Sequence, residues 1–336
     1  MTLKTVSKEY VRKIAVGSRI LDLAGRLASP SAVILMYHSV RDDPGQLANL
    51  IAPGITHASS IFRRQMEIVA QDFVPVTLDD ILLFLQGEAG LPRRAIAVTF
   101  DDGFADNYEF ATPILSHFGI RAAFYATVNL IGTSEAPWYC RLRYAFLTTH
   151  KGEWSDEFNR MTWSLKDPAS REAALLTAFD HCAPLVSDKQ EKAIRDIETA
   201  LEAKFHAGGQ STMMDWDDLR RLRADGHIVG SHTLTHPNLA HVSDDEHLRR
   251  ELEESRRRIE SELGSEVIHF SYPHPALNPQ WSAKTVEMTA SIGYKTAVTT
   301  TRGAVRAGAD PLCLRRIGAP RPEDQFRWKV GRALLG

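Results

Sequence analysis

A mainly parallel α/β sheet or barrel is the fold class this sequence predicts, and three observations predict it. Short apolar runs rich in branched residues alternate with helical patterns along most of the chain. Some runs, such as AIAVTF at 95–100, are apolar without interruption, as strands covered on both faces are. The residues richest in chemistry stand just past the ends of such runs, where α/β folds gather their active sites.

In chain order, AVILMYH at 32–38 is the first strand, and 60–71 and 78–86 read as helices from their apolar spacing. The buried strand at 95–100 is followed by a helix over 106–118, with Gly119 as its stop signal, and by a strand, AAFYATV, at 122–128. Further on, 216–224 is helical and 227–231 a strand. The long charged segment 244–263 is a helix that stops at Gly264. A strand at 267–272, a helix at 279–292 and a strand at 296–300 close the series. Between about 132 and 210 the rhythm changes to a helical pattern that holds three of the six tryptophans, Trp138, Trp154 and Trp163. This stretch is read as an insertion on a main domain of 31–320, with 321–336 as a C-terminal tail.

Residues 1–30 suggest an amphipathic helix whose polar side is basic; it either docks on its own domain or lies on a membrane surface. Charges interrupt the segment too often for a signal peptide or a membrane span, so a cytoplasmic location, at the inner face of the membrane, is expected. The net charge of −2 and pI of about 6.7 leave no electrostatic reason to expect nucleic acid as a partner. The three cysteines, Cys140, Cys182 and Cys313, are far apart and unpatterned, which argues against a disulfide framework.

Two segments carry the chemistry. Thr99-Phe100-Asp101-Asp102-Gly103 ends an apolar strand with two adjacent carboxylates, which repel unless a cation or a proton separates their roles. An Asp-Gly turn with Asp102 capping the next helix is the plain alternative. Ser231-His232-Thr233-Leu234-Thr235-His236 also follows an apolar strand, and histidines four apart can face one way and share one metal. Two imidazoles and one carboxylate leave an open position for water, as catalytic zinc sites require.

TFDDG followed by SHTLTH resembles the NodB-homology domain of the polysaccharide deacetylases, carbohydrate esterase family four. The resemblance spans roughly residues 32–316, the insertion excepted. It implies a distorted (β/α) barrel and a hydrolase that removes N-acetyl groups from the amino sugars of a polysaccharide; the expected lack of an export signal and the basic N-terminal helix point to a lipid-linked precursor of that polysaccharide. It implies that Asp101 is the general base and that Asp102, His232 and His236 hold a divalent metal, zinc first, with cobalt, nickel or iron as alternatives. The family's C-terminal Leu-x-His motif is missing: Leu312-Cys313-Leu314-Arg315-Arg316 has no histidine. Leu35-Met36-Tyr37-His38 instead resembles the permuted poly-N-acetylglucosamine deacetylases, which assigns His38 as the general acid.

The third family motif, Arg-x-Pro-Tyr-Gly, is altered to Ser271-Tyr272-Pro273-His274-Pro275. Tyr272 and His274 are the candidates there for substrate and oxyanion contacts, and the partner of Asp101 is unassigned because Ser271 stands where the arginine would. The insertion's tryptophans either stack on sugar rings or fill a small core of their own. His227, His241, His247 and His269 are read as surface or packing residues, and Glu251, Glu253, Glu254 and 256–258 as a solvated helix face. Arg121 stands near enough in sequence to the 122–128 strand to approach the site. A protein that only binds carbohydrate and metal, and a deformylase of a lipid-linked amino sugar, are the alternative functions.

Overall fold

The structure is a computed structural model that describes residues 30–206, 211–273 and 278–335. Strand β1 (Ser31–Tyr37) opens it, followed by a short parallel pair, β2 (Ser39–Arg41) and β3 (Thr56–Ala58), and by helix α1 (Ser59–Asp72). After β4 (Val74–Pro75), helix α2 (Leu78–Gln86) starts on a capping box in which Thr77 and Asp80 each accept from the other's backbone N–H. Strand β5 (Ala95–Phe100) leads through a π-helical turn, Asn107–Ala111, into helix α3 (Thr112–His117) and strand β6 (Ala122–Ala126). The helix expected over 106–118 is therefore two pieces.

The insertion then departs and returns. It holds helix α4 (Trp138–Thr148), an antiparallel hairpin of β7 (Glu153–Asp156) and β8 (Met161–Ser164), and helices α5 (Pro168–Cys182) and α6 (Ser187–Ala200). Its neck is closed by hydrogen bonds from Gly132 N to Met214 O and from Ser211 Oγ to Thr133 O. Trp138 and Trp154 are buried in the insertion's own core, and Trp163 packs against it. The hairpin departs from the helical expectation for this stretch; its strands are four residues each, too short to impose a visible period of two.

The frame resumes with helix α7 (Trp216–Ala224), strand β9 (Ile228–Ser231), helix α8 (Asp245–Leu263), strand β10 (His269–Ser271) and helix α9 (Ala283–Ile292). Strand β11 (Thr296–Arg302), the short β12 (Val305–Arg306), strand β13 (Leu314–Gly318) and helix α10 (Glu323–Leu335) complete it. Strands β1, β13, β11, β10, β9, β6 and β5 follow one another in parallel, and the pairing of β1 with β5 closes them into a barrel. This is the (β/α) barrel of the NodB type.

Strand parity sorts the core. Ala32, Ile34, Ala97, Ala123, Val298 and Leu314 belong to one cluster, half of them alanines, which suits the tight interior of a barrel. Leu78 and Ile81 of α2 join that cluster, so α2 stoppers the barrel at the N-terminal ends of its strands. Val33, Leu35, Ile96, Val98 and Phe124 face the outer layer of helices. In β9, Gly230 is required: a Cβ there would lie 2.6 Å from the Tyr125 ring and 2.7 Å from the His269 carbonyl oxygen.

The segment expected as a C-terminal tail is instead α10. Its Phe326, Val330 and Leu334, spaced by four, are buried in the main core. Residues 1–29, and with them the expected amphipathic helix, lie outside the described residues. No helix among the described residues is long and apolar enough to cross a membrane. The three cysteines are unpaired.

Candidate active site

Asp101 and Asp102 follow β5, His232 follows β9, and His38 follows β1, all at the C-terminal mouth of the barrel. Asp102, Thr233 and His236 have φ of 76°, 68° and 61°, left-handed conformations that non-glycine residues adopt at a cost of about 1–3 kcal/mol each. Such strain is retained where it aims side chains. Here it turns three ligand atoms of Asp102, His232 and His236 to within 4.8 Å of one another, all three residues being buried. Oδ1 of Asp102 lies 3.4 Å from Nε2 of each histidine.

The donor set fits a divalent cation. Nδ1 of His232 donates to the Ser271 carbonyl at 2.7 Å, which leaves the Nε2 lone pair free toward Asp102. Burial pushes the imidazole of His236 below its ordinary value, so it is held neutral, as a ligand must be. Asp102 is buried, which alone would raise its carboxyl, but the His232 and His236 rings set against it hold it well below the usual carboxylate range. Two adjacent ionised carboxylates then face one guanidinium, and a cation at the triad would balance the second negative charge.

Asp101 supplies what the altered third motif left unexplained. Arg316, on β13 and itself buried, grips it bidentately, Nη1 to Oδ1 at 2.8 Å and Nη2 to Oδ2 at 2.7 Å. Ser271 Oγ donates to Oδ1 at 3.2 Å and accepts from Arg316 Nη2 at 3.1 Å. The guanidinium missing at position 271 thus arrives from another strand, with the serine bridging it to the carboxylate. Burial alone would raise the carboxyl of Asp101, but the charge of Arg316 and its hydrogen bonds hold it below its usual value. Oδ1 accepts two hydrogen bonds and Oδ2 one, so among the described residues Oδ2 keeps an accepting position open.

Three further residues brace the site. Tyr139 of α4 donates from its hydroxyl to Asp102 Oδ2 at 2.7 Å, and its neighbour Trp138 donates from Nε1 to the His236 carbonyl at 3.1 Å. The insertion therefore reaches back to the Asp102–His232–His236 cluster. Glu251, expected on a solvated helix face, is instead buried in α8. It accepts from the N–H groups of Leu234 and Thr235 at 2.9 and 3.1 Å and from the Thr235 hydroxyl at 2.7 Å. It pins the loop that carries both histidines.

The structure does not bring every candidate into the site. The N–H of Tyr272 is spent on the Val298 carbonyl at 3.1 Å, and its ring stacks on Trp281 in the core. The structure thus brings neither the N–H nor the ring of Tyr272 into the site, because both are already engaged within the fold. His274 lies outside the described residues. His38 is half-buried and follows Tyr37, whose carbonyl accepts from the Asp101 N–H at 3.0 Å, so the end of β1 lies beside Asp101. His227 accepts from the Ala122 N–H, and His269 bridges Thr296 and Asp79, both structural roles. Arg121 precedes β6 and lies against Gly226, at the opposite end of that strand from the site.

A parallel (β/α) barrel with an Asp-His-His cluster and an arginine-held carboxylate at its mouth is the framework of a hydrolase. The profile of the polysaccharide deacetylase family matches residues 88–297, and the chain belongs to that family. Among solved structures, IcaB from Ammonifex degensii is similar over 92% of this chain and 99% of its own, with a TM-score of 0.59 and 17% identity. The deacetylase PplD of Streptococcus pyogenes, in complex with acetate, is similar over 90% and 99%, with a TM-score of 0.58 and 17% identity. At that identity the likeness is one of fold.

A chitin deacetylase of Colletotrichum lindemuthianum is 50% identical over 46 residues, 13% of this chain and 18% of its own. A chitooligosaccharide deacetylase of Rhizobium leguminosarum bv. trifolii is 29% identical over 127 residues, 37% of this chain and 57% of its own. Each match thus spans less than two thirds of the curated relative. His38 and Arg316 both fall outside the family match of 88–297.

Proposed function

We propose that the protein is a metal-dependent de-N-acetylase of amino sugars in a polysaccharide or its precursor. The observation that carries this reading is an ionised, arginine-clamped carboxylate, Asp101, beside the Asp102–His232–His236 donor set at one barrel mouth. A divalent cation held there would polarise an amide carbonyl and ease the deprotonation of water. Asp101 is the proton acceptor. Arg316 keeps it ionised and fixes its orientation, and the open position on Oδ2 is where the proton arrives. His38, from the first strand, is the group that returns a proton to the departing amine. Tyr139 and Trp138 hold the ligands in place and help exclude water from the insertion side. A protein that only bound sugar would have no use for a buried base with its own arginine, so the binding reading is not favoured.

The test is acetate release from N-acetylglucosamine oligomers by the chelated protein and by the same protein with zinc or cobalt restored. Release with metal and none after chelation is expected. No release with any metal, or release that ignores chelation, would overturn the reading.

A further inference from the structure

A groove of about 720 Å³ opens beside His38, walled by the ends of β1, β11 and β13 and by α10. One part of its lining is apolar: Met36, Ile317 and Trp328. The charged part is of a single sign, since Arg302, Lys329 and Arg332 line it and no carboxylate does. Among the described residues none of the three forms an ion pair. The guanidinium carbon of Arg332 lies 5.6 Å from the Trp328 ring. By contrast, Arg64, Arg220 and Arg327 each meet two carboxylates.

Three cations gathered without a counter-charge repel one another unless an anion joins them. Burial first, and then the like charge of Arg302, pushes the Lys329 ammonium below its ordinary value. Guanidinium forks match phosphate oxygens bidentately, and an ammonium adds a point charge. The neighbouring apolar wall favours a hydrocarbon, so the groove fits an anion that carries an apolar chain better than a bare anion or a neutral sugar.

We propose that the groove seats a lipid-borne phosphate, with the phosphate between Arg302, Lys329 and Arg332 and the hydrocarbon along Met36, Ile317 and Trp328. His38 lines the same groove, so an amino sugar carried on that phosphate is presented to the catalytic residues. The proposal deepens the deacetylase reading by naming the form in which the sugar is carried, and rests on that reading for the sugar alone.

Calorimetry on the full chain tests it with geranyl phosphate, geraniol and inorganic phosphate as probes. Geranyl phosphate should bind at least tenfold more tightly than either of the others. Arg302→Gln and Lys329→Gln, separately and together, should weaken it, tenfold or more in the double variant. Arg249→Gln, on an exposed helix face outside the groove, should leave it unchanged. Equal binding of geraniol or of inorganic phosphate, or a double variant that melts cooperatively and binds as tightly as the parent, would overturn the proposal. Acetate release from N-acetylglucosamine oligomers separates the two readings. Release without geranyl phosphate binding removes the groove and keeps the deacetylase. Binding of geranyl phosphate without release from any N-acetylated sugar keeps the groove and removes the deacetylase.

Discussion

Arg316 is the residue on which the active-site account most depends. It is fully buried with its ionic partner, Asp101, likewise buried. Removing one member of such a pair leaves an uncompensated charge and costs about 3–5 kcal/mol. Arg316→Met should therefore lower stability by about that amount in denaturant unfolding, and the double variant Asp101→Asn/Arg316→Met should recover part of the loss. Full additivity of the two single effects would mean that the pair is not coupled. In the sequence Arg316 is one of two adjacent arginines in LCLRR, and nothing at that level says which faces inward. The signal is the strand's parity: Leu314 and Arg316 face the same way, and Leu314 is in the barrel interior. Asp102, His232 and His236 are legible because their spacing and strand-end positions are local. Tyr139 is not, since its contact with Asp102 spans 37 positions and depends on how the insertion folds back.

At the scale of elements, the strands and most helices of the frame are readable because their apolar periods are long and their stops are marked, as at Gly119 and Gly264. Helix α8 shows where a pattern misleads. Its run of glutamates and arginines reads as a solvated face, yet Glu251 sits on the buried stripe with Leu248, Leu252 and Ile259, turned toward the backbone of the histidine loop. A charge that reads as exposed from its neighbours can be internal when orphan N–H groups need an acceptor. Glu251→Ala would leave the N–H groups of Leu234 and Thr235 without their partner. A buried donor left unmade costs about 1–3 kcal/mol. The melting temperature should fall, and the apparent affinity for zinc should fall about 10–100-fold, the scale of a lost partner behind a metal ligand. Unchanged zinc affinity would show that the loop holds its shape without α8.

For the molecule as a whole, barrel closure brings residues distant in sequence into one buried layer, and one of them makes stability depend on pH. His57 of β3 is buried against the ring of Tyr37, with Nε2 donating to the Ala319 carbonyl at 3.0 Å. Burial first, and the charges of Arg321 and His38 after it, push its imidazole down to about 4. The folded state thus favours the neutral form. The stability this confers is fully present above about pH 6.5, the unfolded value, and is lost as pH falls toward 4. The change is on the order of 3 kcal/mol, because each tenfold loss of proton affinity is worth about 1.4 kcal/mol. Urea unfolding at pH 7 and pH 4.5 should show it, and His57→Gln should flatten the difference. An equal loss in the variant would assign the acid sensitivity to other groups.

On the proposed function, Asp101 moves the proton while Asp102, His232 and His236 hold the metal. Bound metal per chain and acetate release, measured side by side on the parent, Asp101→Asn and His232→Ala, test it most directly. Asp101→Asn should hold metal at the parent's stoichiometry and release no measurable acetate, whereas His232→Ala should lose the metal itself. Substantial turnover by Asp101→Asn, or full metal retention by His232→Ala, would contradict the account.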